Sequence, residues 1–273
     1  MMRDAVLAQG IVEPVNLHVP ERASREELLR VHTQRYVDAV TTGDLTAAEQ
    51  RLVGLPWSEG LAERSLRATG ATCEAALHTL DAGIAMSLAG GTHHAFADHG
   101  EGYCVFNDVV VAIRMLQASH RIRRATVIDL DVHQGNGTHA LVADDTTVYA
   151  FSMHGRKNYP FRKVAGTLDI ELEDGVEDAE YLDILSGALP QVLSQSKPDI
   201  VFYLAGSDPH EGDRLGKMNL TFDGLARRDV MVIESCRAIG LPIVVTVAGG
   251  YGKDIRDSVR AHVNTARICR DFV

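Results

Sequence analysis

The sequence lacks the features that mark disulfide-rich secreted proteins, membrane-spanning proteins and repeat proteins. Its four cysteines are widely spaced and form no CxxC pair, and the chain has no secretory signal, so we expect reduced thiols and a cytoplasmic protein. No apolar run approaches the roughly 20 residues that cross a bilayer, which argues against membrane insertion. Internal repeats, low-complexity tracts and Pro/Ser-rich linkers are absent, so we predict a single domain over residues 1–273.

The net charge of the chain limits the classes of ligand that we expect it to bind. The chain has 27 basic and 37 acidic residues, a net charge of −10, which argues against a nucleic-acid-binding surface and at most weakly favours cationic substrates. Hydrophobic residues make up 45% of the chain and charged residues 23%, as in ordinary globular proteins. Composition alone says no more about function.

Strand and helix patterns alternate along most of the chain. Apolar residues at helical spacing occur in six segments: 25–40, 60–83, 107–119, 177–195, 222–239 and 254–270. Short, continuously apolar runs rich in Val and Ile, typical of strands covered on both faces, occur at 84–88, 125–130, 147–153, 200–204 and 243–247. This alternation predicts a three-layer α/β/α fold with a mainly parallel central sheet. The acidic stretch 169–180 is predicted to be a solvated loop.

A candidate metal site follows the second of these apolar runs. Residues 129–136 read Asp-Leu-Asp-Val-His-Gln-Gly-Asn, and because side chains alternate along a strand, Asp129, Asp131 and His133 point the same way. A carboxylate and an imidazole two residues apart can share one divalent ion, and Asp208, after the fourth apolar run, is the best candidate for a further ligand. This donor set leaves a coordination position open, as in a catalytic zinc site, although it also suits Fe²⁺ or Co²⁺.

Other polar groups also end predicted strands. Gly-Gly-Thr-His-His at 90–94, Ser152 with His154, and Gly-Gly-Tyr at 249–251 each close an apolar run. Ligands of open α/β sheets collect outside the carboxyl ends of the strands, so we expect these groups and the candidate metal site to share one pocket. Each motif alone has an ordinary structural explanation, such as helix capping by Asp131 or a simple turn at Gly-Gly-Tyr. Their joint occurrence indicates catalysis.

The same motifs resemble those of a known family. Zinc-dependent histone deacetylases contain, in the same order, segments similar to Gly-Thr-His-His, Gly-Tyr-Cys-Val-Phe-Asn-Asp, Asp-Leu-Asp-Val-His-Gln-Gly-Asn-Gly-Thr, Ala-Gly-Ser-Asp-Pro and Gly-Gly-Tyr. The resemblance spans roughly residues 32–251, and the chain looks most like bacterial deacetylase-like and class IV members. It implies an arginase-deacetylase fold and one zinc ion held by Asp131, His133 and Asp208.

The resemblance also implies catalytic roles for five residues. His94, oriented by Asn136, would act first as general base and then as general acid in the attack of water on an amide. His93 would stay protonated beside Asp129 and give electrostatic support. Tyr251 would donate its hydroxyl to the tetrahedral oxyanion.

Two further sites are implied by the resemblance alone. Gly102 and Tyr103 would form one wall of the tunnel that holds the lysine side chain, with Tyr159 or Phe161 opposite. A potassium ion would be held entirely by oxygen atoms, which suit a hard cation. These are the side chains of Asp129 and Ser152 and the main-chain carbonyls of Asp129, Asp131, His133 and Met153.

The chain departs from the family pattern at its beginning. Members usually begin with a β-strand and a loop before the first helix, whereas residues 1–10 already resemble the end of that helix. We therefore expect the first strand and loop of the family to be absent, which affects predictions about the rim of the active site.

The leading hypothesis is a zinc-dependent amidohydrolase that removes acetyl or longer acyl groups from lysine Nε in a protein or peptide. A deacetylase of acetylpolyamines or other small acylated amines is the alternative within enzymes, and a non-catalytic module that binds acyl-lysine is the alternative outside them. An arginase-like two-metal site does not fit, because Gln134-Gly135 and Ser207-Asp208-Pro209 do not match its ligand runs. Acyl-chain length and oligomeric state stay open.

Overall fold

The central feature of the molecule is a six-stranded, fully parallel β-sheet. The computed structural model describes all 273 residues. The strands are β1 (Ile84–Ser87), β2 (Ala125–Asp129), β3 (Val148–Gly155), β4 (Leu168–Leu172), β5 (Ile200–Leu204) and β6 (Ile243–Thr246). Their order in the sheet is β1-β6-β5-β2-β3-β4, so β2 and β5 are neighbours near its centre. The predicted α/β class with a mainly parallel sheet is confirmed.

Ten α-helices accompany the sheet. They are α1 (Met2–Ala8), α2 (Arg25–Leu29), α3 (Gln34–Thr42), α4 (Ala47–Val53), α5 (Glu59–Ala82), α6 (Asp108–Ala118), α7 (Asn136–Val142), α8 (Asp178–Ser196), α9 (Phe222–Arg237) and α10 (Ile255–Arg270). The side chains of Thr33, Thr46 and Ser58 begin α3, α4 and α5 by accepting hydrogen bonds from N–H groups of the first turn. No helix combines the length and the apolar composition that a membrane crossing requires.

Alternating residues of the central strands pack into two separate hydrophobic cores. On β5, Ile200, Phe202 and Leu204 belong to a cluster of 30 buried residues, and Val201 and Tyr203 belong to a second cluster of 28. Successive side chains of a strand point to opposite faces, so a strand that is covered on both faces must be apolar throughout. This arrangement explains the continuous apolar runs in the sequence.

The sequence did not predict β4 or α7. The predicted loop at 169–180 is wrong at both ends, because β4 runs to Leu172 and α8 begins at Asp178. β4 is an edge strand whose apolar residues alternate with Asp169 and Glu171, which is the pattern of a half-buried strand, but the acidic composition of 169–180 favoured the loop prediction. α7 begins at Asn136, inside the segment predicted as a metal site, and its seven residues are too few to show a helical period.

Two further boundaries differ from prediction. Residues 25–40 were predicted as helical throughout, but they contain α2 and the start of α3, separated by residues 30–33. β3 extends to Gly155, so Ser152 and His154 lie within the strand and not after it. Neither difference moves a candidate residue away from the carboxyl edge of the sheet.

A buried ion pair connects α9 to the sheet and to α10. Arg228 and Asp229 are each 1% exposed, and Nη2 of Arg228 lies 2.8 Å from Oδ1 of Asp229. Asp229 also accepts hydrogen bonds from the hydroxyls of Tyr203 on β5 and Thr265 on α10. Every oxygen of this buried carboxylate therefore has a donor, as a buried charge requires.

The guanidinium of Arg228 also hydrogen-bonds to the segments that follow β2 and β5. Nη1 of Arg228 donates to the main-chain carbonyls of Leu130, at 3.3 Å, and Gly206, at 2.7 Å. Leu130 precedes Asp131 directly, and Gly206 lies two residues before Asp208. One buried side chain thus links the two segments that carry the candidate metal ligands.

Replacement of Arg228 by methionine should lower the free energy of unfolding by about 3–5 kcal/mol, because the carboxylate of Asp229 is left buried without its cation. Chemical denaturation measures this change. Arg227→Met is the matched control, since Arg227 is exposed on the same helix, and it should change the free energy by less than about 0.5 kcal/mol. Equal stability of the two variants would contradict the structural role of the buried pair.

Candidate active site

Three residues predicted as metal ligands lie together beyond the carboxyl ends of β2 and β5. Nδ1 of His133 is 3.0 Å from Oδ1 of Asp131 and 3.1 Å from Oδ2 of Asp208. The three donor atoms lie within 4.8 Å of one another, close enough to bind one ion together. Two carboxylates and one imidazole suit a divalent metal such as zinc and leave a position for a further ligand. The residues present therefore fit a catalytic zinc ion.

Backbone N–H groups orient the two carboxylates. The N–H of Gly249 donates to Oδ2 of Asp131 at 2.7 Å, and the N–H of Val132 donates to Oδ1 of Asp208 at 2.9 Å. Each carboxylate keeps its other oxygen for His133 or for a metal. A Cβ atom at Gly249 would lie 2.3 Å from Oδ2 of Asp208 and 2.5 Å from Oδ2 of Asp131. Only glycine leaves space for both carboxylates at this position.

The charges of this cluster are strongly coupled. Burial and repulsion from Asp131 raise the pKa of Asp208 to about 7. Burial lowers the pKa of His133, but hydrogen bonds to Asp131 and Asp208 outweigh burial and raise this pKa to about 10. Burial would raise the pKa of Asp131, yet the positive charges of His93 and His133 hold it below its usual range. Without a metal ion the cluster retains protons at neutral pH.

A neighbouring loop positions two histidines beside the cluster. This loop follows β1 and is held by Asp108 in the first turn of α6, whose carboxylate accepts the N–H groups of Gly91 at 2.9 Å and Thr92 at 2.7 Å. His93 and His94 come next in the chain, and their ring centroids are 4.1 Å apart. Both are buried.

The environment of His93 favours its protonated form. Nδ1 of His93 lies 2.7 Å from Oδ2 of Asp129. Burial lowers the pKa of His93, but the charges of Asp129 and Asp131 outweigh burial and raise this pKa to about 9. His93 is therefore an imidazolium at neutral pH.

The environment of His94 favours its neutral form. Nδ1 of His94 lies 2.6 Å from Oδ1 of Asn136, and Nδ2 of Asn136 donates to Oε1 of Glu101. Because the amide NH₂ must face the Glu101 carboxylate, Oδ1 of Asn136 accepts the Nδ1–H of His94, and Nε2 keeps its lone pair. Burial and the positive charge of His93 lower the pKa of His94 well below its usual value. At neutral pH this imidazole can accept a proton.

Tyr251 lies at the mouth of the cavity that contains these groups. Its N–H donates to Oδ2 of Asp213 at 2.6 Å, and its carbonyl accepts the N–H of Arg214 at 3.1 Å. Its ring lies 5.4 Å from that of Tyr103, and burial raises the pKa of its hydroxyl, which stays protonated. The cavity has a volume of about 930 Å³, and its lining includes His93, His94, Asp131, His133, Asp208 and Tyr251.

Two of the predicted tunnel residues, Gly102 and Tyr159, lie beside His94. A Cβ atom at Gly102 would lie 2.5 Å from Cδ2 of His94, so glycine is needed for this close approach, and its φ of +56° also favours glycine. Tyr159 packs edge-on against His94 with ring centroids 5.0 Å apart, whereas Phe161 is 90% exposed. Of the two candidates for the wall opposite Tyr103, only Tyr159 contacts His94.

Comparison with known proteins identifies the family. Residues 1–266 match the family described as histone deacetylase domain. The chain belongs to the histone deacetylase family. Its members are zinc-dependent hydrolases, and the Asp-His-Asp cluster of this chain could hold the metal ion. The predicted recognition, enzyme class and metal-binding character are confirmed at this level, and a non-catalytic binding module is not supported.

Three related proteins and one solved structure are similar to this chain over most of its length. Histone deacetylase 2 of Arabidopsis thaliana is 31% identical over 93% of this chain and 69% of its own length. Human histone deacetylase 1 is 29% identical over 92% of this chain and 55% of its own length. An uncharacterized protein of Picosynechococcus is 44% identical over 99% of this chain and 90% of its own. The crystal structure of an HDAC homologue from Aquifex aeolicus gives a TM-score of 0.86 at 24% identity, covering 99% of this chain and 77% of that one.

Three residues predicted for the monovalent cation site lie next to one another in the sheet. Asp129 and Ser152 are paired positions on β2 and β3, and Met153 is buried next to Ser152. The hydroxyl of Ser152 lies 2.9 Å from Nδ1 of His154, which is neutral because burial lowers its pKa to about 4. Oδ1 of Asp129 accepts the N–H of Asp131 at 3.1 Å.

Sequence reasoning missed Glu101, which fixes the orientation of the Asn136 amide and thereby the tautomer of His94. Its only signal in the sequence is its place between Gly100 and Gly102, beside the predicted tunnel wall. An acidic residue in such a loop is usually solvated, so this signal is weak.

Zinc binding to the metal-free enzyme at pH 7 should release about one to two protons, because His133 must lose its proton and Asp208 carries a fraction of another. The apparent affinity should therefore rise with pH between pH 6 and 9. Calorimetry in buffers with different ionisation enthalpies measures the number released. Binding without net proton release would show that His133 is already neutral in the metal-free enzyme.

Gly249→Ala should weaken zinc binding by roughly 10- to 100-fold, because the added Cβ displaces both carboxylates from their N–H donors. Competition with a chromogenic chelator measures the affinity. Gly187→Ala is the control, since a Cβ there meets nothing within 4 Å in the interior of α8. The control should bind zinc normally and gain about 0.5–1 kcal/mol in stability. Unchanged zinc affinity in Gly249→Ala would refute the steric argument.

Proposed function

We propose that the enzyme removes acetyl or longer acyl groups from lysine Nε in a peptide or protein, with one zinc ion held by Asp131, His133 and Asp208. One observation carries the proposal: a cluster that could bind a metal ion, a neutral imidazole and a tyrosine line the same cavity. Amide hydrolysis needs groups of these three kinds, to activate the carbonyl, to move a proton and to stabilise an oxyanion.

The proton transfers are assigned to His94. When bound, zinc would polarise the amide carbonyl and make a water molecule more acidic. Nε2 of His94 has a free lone pair, because Nδ1–H is held by Asn136, and it accepts the proton of the attacking water. The same nitrogen then delivers the proton to the leaving lysine amine. Glu101 supports both transfers by fixing the amide of Asn136.

His93 has an electrostatic role, because an imidazole that is already protonated cannot act as the base. Its positive charge is balanced by Asp129 and lies next to His94. This charge disfavours protonation of His94 before the reaction. It also favours the negative charge that develops on the carbonyl oxygen of the substrate.

Tyr251 and the aromatic walls act on the substrate itself. The hydroxyl of Tyr251 remains protonated and donates to the same carbonyl oxygen. Gly102, Tyr103 and Tyr159 form a slot for the aliphatic part of acyl-lysine. Walls of this kind hold the chain in line with the reacting groups and exclude water from them.

A second ion is also proposed. Potassium would bind the oxygens of Asp129 and Ser152 and the main-chain carbonyls of Asp129, Asp131, His133 and Met153. The adjacency of Asp129 and Ser152 on paired strands supports this site, and oxygen ligands suit a hard monovalent cation. Such an ion would stabilise the backbone from which Asp131 and His133 project.

Tyr251→Phe should lower kcat for acetyl-lysine peptides by about 100- to 1000-fold, because one oxyanion donor is lost, while zinc affinity stays unchanged. Steady-state kinetics of the zinc-loaded enzyme measures kcat. Tyr149→Phe is the matched control, since its hydroxyl contacts Gln195 on α8, away from the cavity, and it should keep normal kcat.

Acetylputrescine in the same assay separates the two substrate classes. Turnover of peptides that is lost in Tyr251→Phe supports the lysine deacylase, and acetyl through myristoyl peptides then define the chain length. Turnover of acetylputrescine without turnover of any peptide would refute the proposed substrate class.

A further inference from the structure

The mouth of the active-site cavity is basic, although the chain as a whole is acidic. Four exposed cationic side chains line the cavity together with the catalytic groups: Arg51, Arg64, Lys157 and Lys217. The only carboxylates in the lining are Asp131 and Asp208, which are buried in the metal-binding cluster. A chain with a net charge of −10 thus presents positive charge where the substrate enters.

These cations have few partners within the protein. Arg51 and Arg64 form neither an ion pair nor a side-chain hydrogen bond. Lys217 donates to the main-chain carbonyl of Lys157 at 3.1 Å and has no carboxylate partner. Lys157 has only long contacts, of 3.9 and 3.7 Å, with the acidic residues 173–174. The positive charge at the mouth is therefore available to a ligand.

The four cations come from separate parts of the fold. Arg51 lies in α4, Arg64 in α5, Lys157 after β3 and Lys217 in the loop that follows β5. Arg64 is close enough to the reaction centre that its charge opposes the effect of burial on the pKa of Tyr251. A single small anion would meet only part of this set, whereas an extended peptide reaches several of its members.

The surface between the cations suits a polypeptide. Tyr103, Phe161 and Leu215 are exposed at the same mouth and offer apolar contacts to a bound chain. A free polyamine would bring more positive charge to this surface, and like charges disfavour binding. Charge complementarity thus favours an acidic acyl-lysine peptide over an acylated polyamine as the substrate.

We propose that the mouth selects acyl-lysine within an acidic peptide segment, with Asp or Glu side chains near the modified lysine contacting Arg51, Arg64, Lys157 and Lys217. This inference rests on the proposed function and names the sequence context of its substrate. Exposed ion pairs are individually weak and are screened by salt, so the selection depends on several contacts acting together.

Steady-state kinetics on three acetyl-lysine peptides tests the proposal. The peptides have equal length and carry Glu, Gln or Lys at the positions that flank acetyl-lysine. At low salt, KM should be roughly 5- to 30-fold lower for the Glu peptide than for the Lys peptide, with similar kcat. High salt should reduce the difference, because it screens exposed charges.

A double variant and a matched control test whether the cations at the mouth cause the lower KM for the Glu peptide. The double variant Arg51→Gln/Arg64→Gln should raise KM for the Glu peptide towards that for the Gln peptide. Arg121→Gln is the matched control, since Arg121 is exposed between α6 and β2, at the opposite end of the strands, and it should keep the full preference. Equal loss of preference in both variants would mean that net charge, and not the mouth, is responsible.

Equal KM values for the three peptides, or a lower KM for acetylputrescine than for the Glu peptide, would overturn the proposal. Absence of turnover on every substrate would count against the proposed function instead. Fluorescence anisotropy of the same peptides, labelled and mixed with the zinc-loaded enzyme, then measures their binding affinities without the need for turnover. Equal affinities for the Glu and Lys peptides would overturn the inference, and tighter binding of the Glu peptide would support it.

Discussion

Three carboxylates share one buried corner of the sheet, and most of the active site serves to balance their charge. Asp129, Asp131 and Asp208 are each at most 1% exposed, and buried carboxylates are costly unless they are paired. His93 and His133 supply positive charge, and backbone N–H groups supply hydrogen bonds. A bound metal ion would take over this balance, so metal affinity, histidine protonation and backbone geometry depend on one another.

The adjacent residues His93 and His94 differ in protonation because their hydrogen-bond partners differ. His93 and His94 are buried and chemically identical, yet one faces a carboxylate through Nδ1 and the other faces an amide. The carboxylate of Asp129 raises the pKa of His93 and favours its imidazolium form. The neutral amide of Asn136 does not offset the effect of burial on His94, so burial lowers the pKa of His94 and this imidazole stays neutral. One oxygen-for-nitrogen difference in a neighbouring side chain therefore separates a protonated imidazole from a neutral one.

The sequence predicts features that depend on local pattern and misses those that depend on distant contacts. The parallel sheet and the convergence of Asp131, His133 and Asp208 follow from apolar runs that end in polar residues. Glu101 and Arg228 gave no such signal, because an acidic loop residue and a cationic helix residue are ordinarily exposed. The partners of both residues, and the burial of Arg228, appear only when segments far apart in the chain are brought together. β4 was missed for a different reason: its residues alternate locally as in a half-buried strand, but an edge strand tolerates charged residues, and these led to the loop prediction.

The order of the strands has a consequence for synthesis of the chain. β6, the last strand to be made, lies between β1 and β5, and β1 pairs with no other strand. Until residues 243–246 have left the ribosome, β1 remains separate and β5 presents an open edge, which invites association with other chains. A nascent chain halted shortly before β6 already contains all three metal-binding side chains. It lacks Gly249, whose N–H orients Asp131, and it lacks Tyr251, so the site stays incomplete until the chain beyond β6 has been made.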